Sequence, residues 1–179
     1  ATMLIAASTS CTFRSGILVS AISLSCFFET FPTFVLFGTP EPFFFFSESL
    51  ISHAVLAIPA VRGVEFGTGF DAARMFGSDH NDAIEDKTGK TFTNHAGGIV
   101  GGLTNGNELL FRIAVKPTSS TPKEQQTLNT ETDNVEAFSV KGRHDLCIAL
   151  RVPVVLEAVT AIVLADLMLL EQKIPRIIS

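Results

Sequence analysis

The order of residues from Asn94 to Ser120, NHAGGIVGGLTNGNELLFRIAVKPTSS, restricts the fold of this 179-residue chain more than any other stretch. Asn105-Gly106 lies between two apolar runs and predicts a hairpin. Beyond it Leu109, Phe111, Ile113 and Val115 alternate with Leu110, Arg112, Ala114 and Lys116. A strand with one apolar face and two cations on the other follows, with Lys116 at its end. The paired glycines 97–98 and 101–102 lack a Cβ, which leaves room for a flat or phosphorylated group on their backbone.

On either side the pattern alternates between helix and strand. Ser47 to Ile58 reads as a helix with Ser47 as N-cap and Leu50, Ile51, Ala54, Val55 and Ile58 along one face, ended by Pro59. Val61 to Phe66 is a short strand; Gly67 and Gly69 then lead into a turn of helix, Asp71 to Met75, that Gly77 stops. Residues 78–90 are polar and read as a loop. Residues 119–134 hold one large apolar side chain, Leu128, and are expected to form an exposed excursion. The last helix, about Pro153 to Gln172, is apolar on nearly every face. Glu157 and Asp166 lie nine residues apart, about 180° around that helix, so no single protein-facing side shelters both. Each costs roughly 2.5 to 3.5 kcal/mol at a membrane centre. A helix buried between two layers of protein is therefore expected, with no membrane partner.

The length suits one domain with a real core. A net charge of −5 with scattered basic residues gives no footprint for nucleic acid. Cys11, Cys26 and Cys147 are too dispersed for a disulfide framework or a zinc site. A reducing compartment, the cytoplasm, is the expected location. Composition shifts along the chain: residues 1–46 hold ten of the sixteen phenylalanines but only three charges, Arg14, Glu29 and Glu41. The apolar run Ile17 to Phe28 after Arg14 has the look of a signal-peptide core, but Ser20, Ser23 and Ser25 interrupt it and no small-residue cleavage site precedes an obvious mature start. The segment shows neither helical nor strand period, so no chemistry is assigned to it.

Several short motifs suggest ligands. Gly67-Thr68-Gly69-Phe70-Asp71-Ala72 fits a loose dinucleotide pattern, yet Gly77 cuts the helix that would face a pyrophosphate, so a structural turn is the reading. Gly89-Lys90-Thr91 lacks the earlier glycine of a phosphate-binding loop, since position 84 is Ile84. Asp79, His80, Asp82 and His95 have no metal-ligand spacing, and no metal is expected. Lys116-Pro117-Thr118-Ser119-Ser120 is equally a phosphate cradle or an ordinary exit from a strand. Arg143-His144-Asp145 offers a guanidinium for anions beside an acid, or a surface ion cluster.

SHAVLAIPAVRGVEFGTGFDAARM, NHAGGIVGGLTNG, AVKPTSS and GRHD occur together and in order, and the chain from about Gly38 to its C-terminus resembles the chorismate synthase family. Residues 1–37 carry no recognisable match, which divides the chain into that segment and a family-like domain at 38–179. The resemblance implies an α+β fold, a partial β-α-β sandwich with helices between antiparallel sheets. It implies a lyase that eliminates phosphate from 5-enolpyruvylshikimate 3-phosphate in the 1,4-anti sense to give chorismate, using reduced FMN, in the shikimate pathway of aromatic amino acid biosynthesis. A homotetramer is the family's usual assembly. Carried across, the flavin-contacting positions are Pro59, Ala60, Gly101, Lys116, Pro117, Thr118, Ser119, Ser120 and Arg143; Arg143 is also the anion clamp and Asp145 the acid implicated in proton removal. Leu146 stands where the family usually has Pro, and Pro59 where some relatives have Asn. The family's Gly-Glu-Ser-His-Gly and Arg-Pro-x-His-Ala-Asp motifs have no counterpart here, so an inactive fragment is expected. The alternatives are a non-catalytic subunit that associates with a full-length synthase through its apolar helices, or a tethered or secreted protein targeted by residues 14–37.

Overall fold

The computed structural model describes residues 46–142 and 147–171, and the backbone of two strands at 5–14 and 17–26. The centre of the architecture is β6 (Leu109–Val115), whose residues alternate between buried and half-buried along its length. β6 lies between β2 (Ile17–Cys26) and β3 (Val61–Phe66), and β1 (Ile5–Arg14) pairs with β2 on its far side, all antiparallel. The segment 1–46, to which the sequence assigns no regular structure, thus supplies half of the sheet's strands. Its serine-interrupted pattern hides a strand period because small polar residues alternate poorly with apolar ones.

Register explains which side chains meet. Phe66 stands opposite Phe111, and their rings lie 5.6 Å apart between centroids. Glu65 stands opposite Arg112 on the other face, and a bulge at Arg62 restores Val61 to its place opposite Val115. α1 (Ser47–Leu56) and α3 (Val152–Leu170) cover the apolar face: Ile51 and Val55 from α1 and Leu156 and Leu164 from α3 join Phe111, Ile113 and Val115 in one buried cluster. α1 begins one residue earlier than its sequence signal, with Phe46 rather than Ser47 at the capping position and Ser47 already helical and fully buried. The Ser47 N–H donates to Gly102 O at 2.9 Å, so a loop carbonyl from elsewhere in the fold satisfies the start of this helix.

The glycine-rich segment differs from expectation in one respect. The tight hairpin joins β4 (Ile99–Val100) to β5 (Leu103–Thr104) through Gly101 and Gly102, whose φ values of 60° and 84° suit the two central positions of a type I′ turn. Asn105-Gly106 instead turns the chain from β5 into β6, which do not pair. Two glycines carry a stricter demand: a Cβ on Gly97 would overlap the Gly67 nitrogen, and one on Gly102 would meet the Phe46 ring. Downstream, β7 (Gln125–Asn129) and β8 (Asn134–Phe138) form a separate exposed hairpin where an excursion is expected. Within the polar loop the single turn α2 (Gly77–His80) starts at the glycine predicted to stop a helix.

α3 is the long apolar helix anticipated from the sequence, and Ile148–Leu170 is long and apolar enough to cross a membrane by length and composition alone. Val152, Leu156, Thr160, Leu164, Leu167 and Met168 face the core, but Val154 and Ile162 are 72% and 68% exposed. Among the described residues, only one of the two protein layers expected around this helix is present.

Phe111 is fully buried at the centre of the core. Phe111→Ala is expected to lower stability by about 3–5 kcal/mol, read as a fall in the urea midpoint. Phe76→Ala, at a side chain that is 80% exposed, is expected to change it by less than about 0.5 kcal/mol.

Candidate functional site

β6 ends at Val115, and the next residue, Lys116, is fixed by its own amide: the Lys116 N–H donates to Ala60 O at 2.8 Å. Ala60 has φ 74°, a left-handed conformation that costs a residue with a Cβ roughly 1–2 kcal/mol. The chain adopts it because Pro59 stops α1 and Val61 must immediately enter β3; the Val61 N–H still reaches back to Ile58 O at 3.2 Å. Pro59, Ala60 and Lys116 are therefore neighbours, with the loop 117–120 leading away from them. Lys116, Pro117, Ser119 and Ser120 are exposed. Thr118 is half-buried, and its Oγ1 is buried without a hydrogen-bond partner. A buried hydroxyl left unpaired is costly and uncommon, and here it stands beside a free cation-bearing strand end. Gln125 anchors the far side of the loop, its Nε2 donating to Thr121 Oγ1 at 3.0 Å and to Ser119 O at 3.5 Å.

Gly101 stands elsewhere. Its hairpin neighbour Gly102 touches the first residue of α1, whereas Pro59 and Ala60 follow the last, and a ten-residue helix is about 15 Å long. A Cβ at Gly101 would meet nothing within 4 Å, so its backbone faces open space. The candidates thus fall into two groups at opposite ends of α1. Arg143 and Asp145 lie outside the described residues.

Two constellations were not singled out from sequence. Asp82, read as loop polarity, staples the segment after Thr91: Oδ1 accepts from Thr93 Oγ1 and from the His95 N–H, both at 2.7 Å, and Oδ2 from the Ala96 N–H at 2.9 Å. Desolvation raises its pKa, but the hydrogen bonds from Ala96, Thr93 and His95 outweigh this and hold the carboxyl below its ordinary value. His95 also pairs through Nδ1 with Thr68 Oγ1 at 2.9 Å, and its ring lies 5.8 Å from that of His80. Among the described residues no cluster of three or more His, Cys, Asp or Glu side chains could hold a metal ion.

The second constellation is a groove of about 510 Å³ between the start of α1 and the end of β3, lined by Glu48, Ser52, Glu65, Phe66 and Phe70 among others. Burial pushes the Glu48 carboxyl above its usual value. Glu65 is already engaged: Oε1 lies 3.0 Å from Arg112 Nε, an ion pair whose N–H is not aligned for a hydrogen bond, and Oε2 accepts from the Phe70 N–H at 3.0 Å. Arg112 also donates to Thr68 O at 3.1 Å. Among the described residues, none of the family-derived candidates lines this groove.

Comparison with known proteins places these features in context. The family profile described as chorismate synthase matches residues 21–169, reaching back into β2. A chorismate synthase of Chitinophaga pinensis is 71% identical over 140 residues, 78% of this chain and 42% of that protein. One of Archaeoglobus fulgidus is 49% identical over 141 residues, 78% of this chain and 39% of that protein. A crystal structure of chorismate synthase superposes with a TM-score of 0.60 at 27% identity, covering 87% of this chain and 39% of the other. The chain spans about two-fifths of the length of the curated relatives it matches.

Because the Asp82 pKa is depressed in the folded state, its contribution to stability is complete above the unfolded value near 3.9 and is lost as pH falls through the folded value. Hydrogen exchange at the His95 and Ala96 amides, corrected for intrinsic rates, is expected to lose protection as pH drops below about 4. Asp82→Asn should weaken protection at neutral pH and remove the pH dependence. At Ala60, Ala60→Gly is expected to raise the urea midpoint by up to about 1 kcal/mol equivalent, as relief of the left-handed strain exceeds the entropy glycine adds to the unfolded chain, while Ala60→Val lowers it.

Proposed function

The chain belongs to the chorismate synthase family, and from that premise we propose that it carries part of the flavin-binding wall of an enzyme that eliminates phosphate from 5-enolpyruvylshikimate 3-phosphate to give chorismate. In isolation it is inactive. The single observation that carries the cofactor assignment is the unpartnered, buried Thr118 Oγ1 beside Lys116. A hydroxyl donor and an ammonium at the end of a strand suit a phosphorylated ligand, and FMN has that chemistry. The open backbone at Gly101 suits close approach by a flat group.

Reduced FMN, when bound, supplies electron density to the substrate ring as phosphate departs. The protein's share is positional and electrostatic. Lys116 offsets phosphate charge, and the Ala60 carbonyl, by holding the Lys116 amide, fixes where that cation leaves the sheet. Thr118 donates to an anionic oxygen and so gains the partner it lacks. Arg143 would hold anionic groups through its forked donors, and Asp145 would accept a proton. The reading includes a cytoplasmic location and assembly into homo-oligomers. A second reading, a non-catalytic subunit that binds a full-length synthase, is favoured by the uncovered apolar face of α3.

Fluorescence titration with oxidised and reduced FMN is expected to show binding much weaker than that of the Chitinophaga pinensis enzyme. An anaerobic coupled assay should detect no chorismate, since the chain has no counterpart of the family's two motif histidines, which would serve as general acids, and loss of general-acid help alone typically costs about 10² to 10⁴ in rate. Flavin affinity equal to that of the complete relative would overturn the reading. Joining residues 38–179 to the preceding part of that relative is expected to restore turnover. In the chimera Lys116→Ala and Thr118→Val should loosen flavin retention about 10-fold or more, as charge-assisted hydrogen bonds contribute about 1.5–3 kcal/mol. Asp145→Asn should leave retention intact and reduce turnover.

A further inference from the structure

Asn105-Gly106 closes no hairpin and forms no part of the flavin wall, yet its geometry has a chemistry of its own. Asn105 folds into an Asx turn, in which its Oδ1 accepts from the Asn107 N–H at 3.0 Å. The side-chain carbonyl is thereby drawn over the peptide that joins Asn105 to Gly106, and the hydrogen bond polarises its carbon. Among the described residues the Gly106 N–H has no hydrogen-bond partner; Gly106 is exposed, and a Cβ there would meet nothing within 4 Å. An unscreened backbone nitrogen, a polarised amide carbon beside it and a donor placed where negative charge develops are the parts of an intramolecular acyl transfer. Two nearby asparagines lack them. The nitrogen after Asn94 belongs to His95, whose N–H is already donated to Asp82 Oδ1 at 2.7 Å. Asn107 turns its side chain away to the preceding loop, with Oδ1 accepting from the Thr91 N–H and Nδ2 donating to Gly89 O, both at 3.1 Å.

We propose that Asn105 is a site of spontaneous modification, which converts to isoaspartate in the folded chain and thereby loosens the glycine hairpin that bears Gly101. The Gly106 amide gives its proton to hydroxide, and its nitrogen attacks Asn105 Cγ. A C–N bond forms as the Cγ–Nδ2 bond breaks, and ammonia leaves with a proton taken from water. The charge that gathers on Oδ1 during attack is met by the Asn107 N–H. Water then opens the cyclic imide. Cleavage of the new Cγ–N bond gives aspartate, and cleavage between that nitrogen and the main-chain carbonyl carbon gives isoaspartate. No oxidant or reductant takes part. Isoaspartate routes the backbone through one extra carbon and leaves a carboxylate in place of a neutral amide. The flanks have no slack for that carbon, because the Asn105 N–H is held by Gly98 O at 2.9 Å and the Asn107 side chain by residues 89 and 91. The single bond to Gly98 is the weaker anchor, so the hairpin is released from the start of the turn.

The full chain, incubated at mildly alkaline pH and sampled over days, tests this through the tryptic peptide 91–112, which holds Asn94, Asn105 and Asn107. Tandem mass spectrometry is expected to find the amide-to-acid mass gain at Asn105 before either neighbour. The isoaspartyl form, detected by labelling with an isoaspartyl methyltransferase, should exceed the aspartyl form. Conversion is expected to quicken as pH rises, and to run at least as fast in the folded chain as in urea, where the turn is absent. Hydrogen exchange of the converted chain, corrected for intrinsic rates, should show protection lost at the Asn105 amide. Asn105→Asp, which adds the charge without the extra carbon, should keep it. No conversion, conversion first at Asn94 or Asn107, or a folded rate below that in urea overturns the proposal. So does unchanged protection in the converted chain, or an equal loss in Asn105→Asp.

Discussion

The sheet and the two helices packed on it rest on the buried face of β6. Phe111, Ile113 and Val115 are the shared floor on which α1 and α3 sit, and the same strand holds β2 on one edge and β3 on the other. A slip of one residue in its register would carry Arg112 into the apolar cluster and expose Phe111. The Glu65–Arg112 pair on the opposite face penalises the same slip, because the register that buries Phe111 is also the one that sets Arg112 against Glu65. Hydrophobic and electrostatic preferences thus agree on a single alignment, which is what a well-specified sheet requires.

That alignment has a consequence for function. Lys116 is the residue after β6, so any shift along the strand would move the cation and the hydroxyl loop behind it. The Ala60 carbonyl fixes the Lys116 amide, and Ala60 holds a conformation that costs a non-glycine residue free energy. Strain at this junction persists because α1 ends and β3 begins within a few residues, with no slack between them. Packing of the core is therefore transmitted directly to the position of the candidate phosphate loop.

Much of this was legible in the sequence, and the exceptions are informative. The alternation in 109–116 gave both the strand and its buried side, and Val61 to Phe66 matched β3 end to end. The hairpin was misplaced because Asn-Gly is the stronger local signal, whereas the closing turn at Gly101-Gly102 is selected by pairing of Ile99 with Thr104 and by the backbone contact of Gly102 with α1. β1 and β2 were missed because β2 takes its place by pairing with β6, far away in sequence, rather than by its own pattern. Asp82 could not be recognised as a staple, since its three donors come from Thr93, His95 and Ala96 and no spacing rule connects them. For the candidate site, the residues are legible in the sequence and their roles in the family resemblance, but only the fold shows that α1 separates Gly101 from Lys116.

α3 shows most clearly where periodicity stops being informative. A helix apolar all round gives no moment from which to choose its inner face, so the sequence specified burial without specifying which side. The structure turns Thr160 inward, fully buried, with Oγ1 donating to Leu156 O at 2.7 Å, and leaves Val154 and Ile162 outward. A helix meant to be covered on one side alone would place its polar residues the other way round. The back-bonded hydroxyl makes the inward choice inexpensive, because it satisfies its own hydrogen bond within the helix. What selects the orientation is then the fit of Leu156 and Leu164 into the cluster beneath, and the outer valines and isoleucine are left as surface that gains free energy from any complementary partner that covers it.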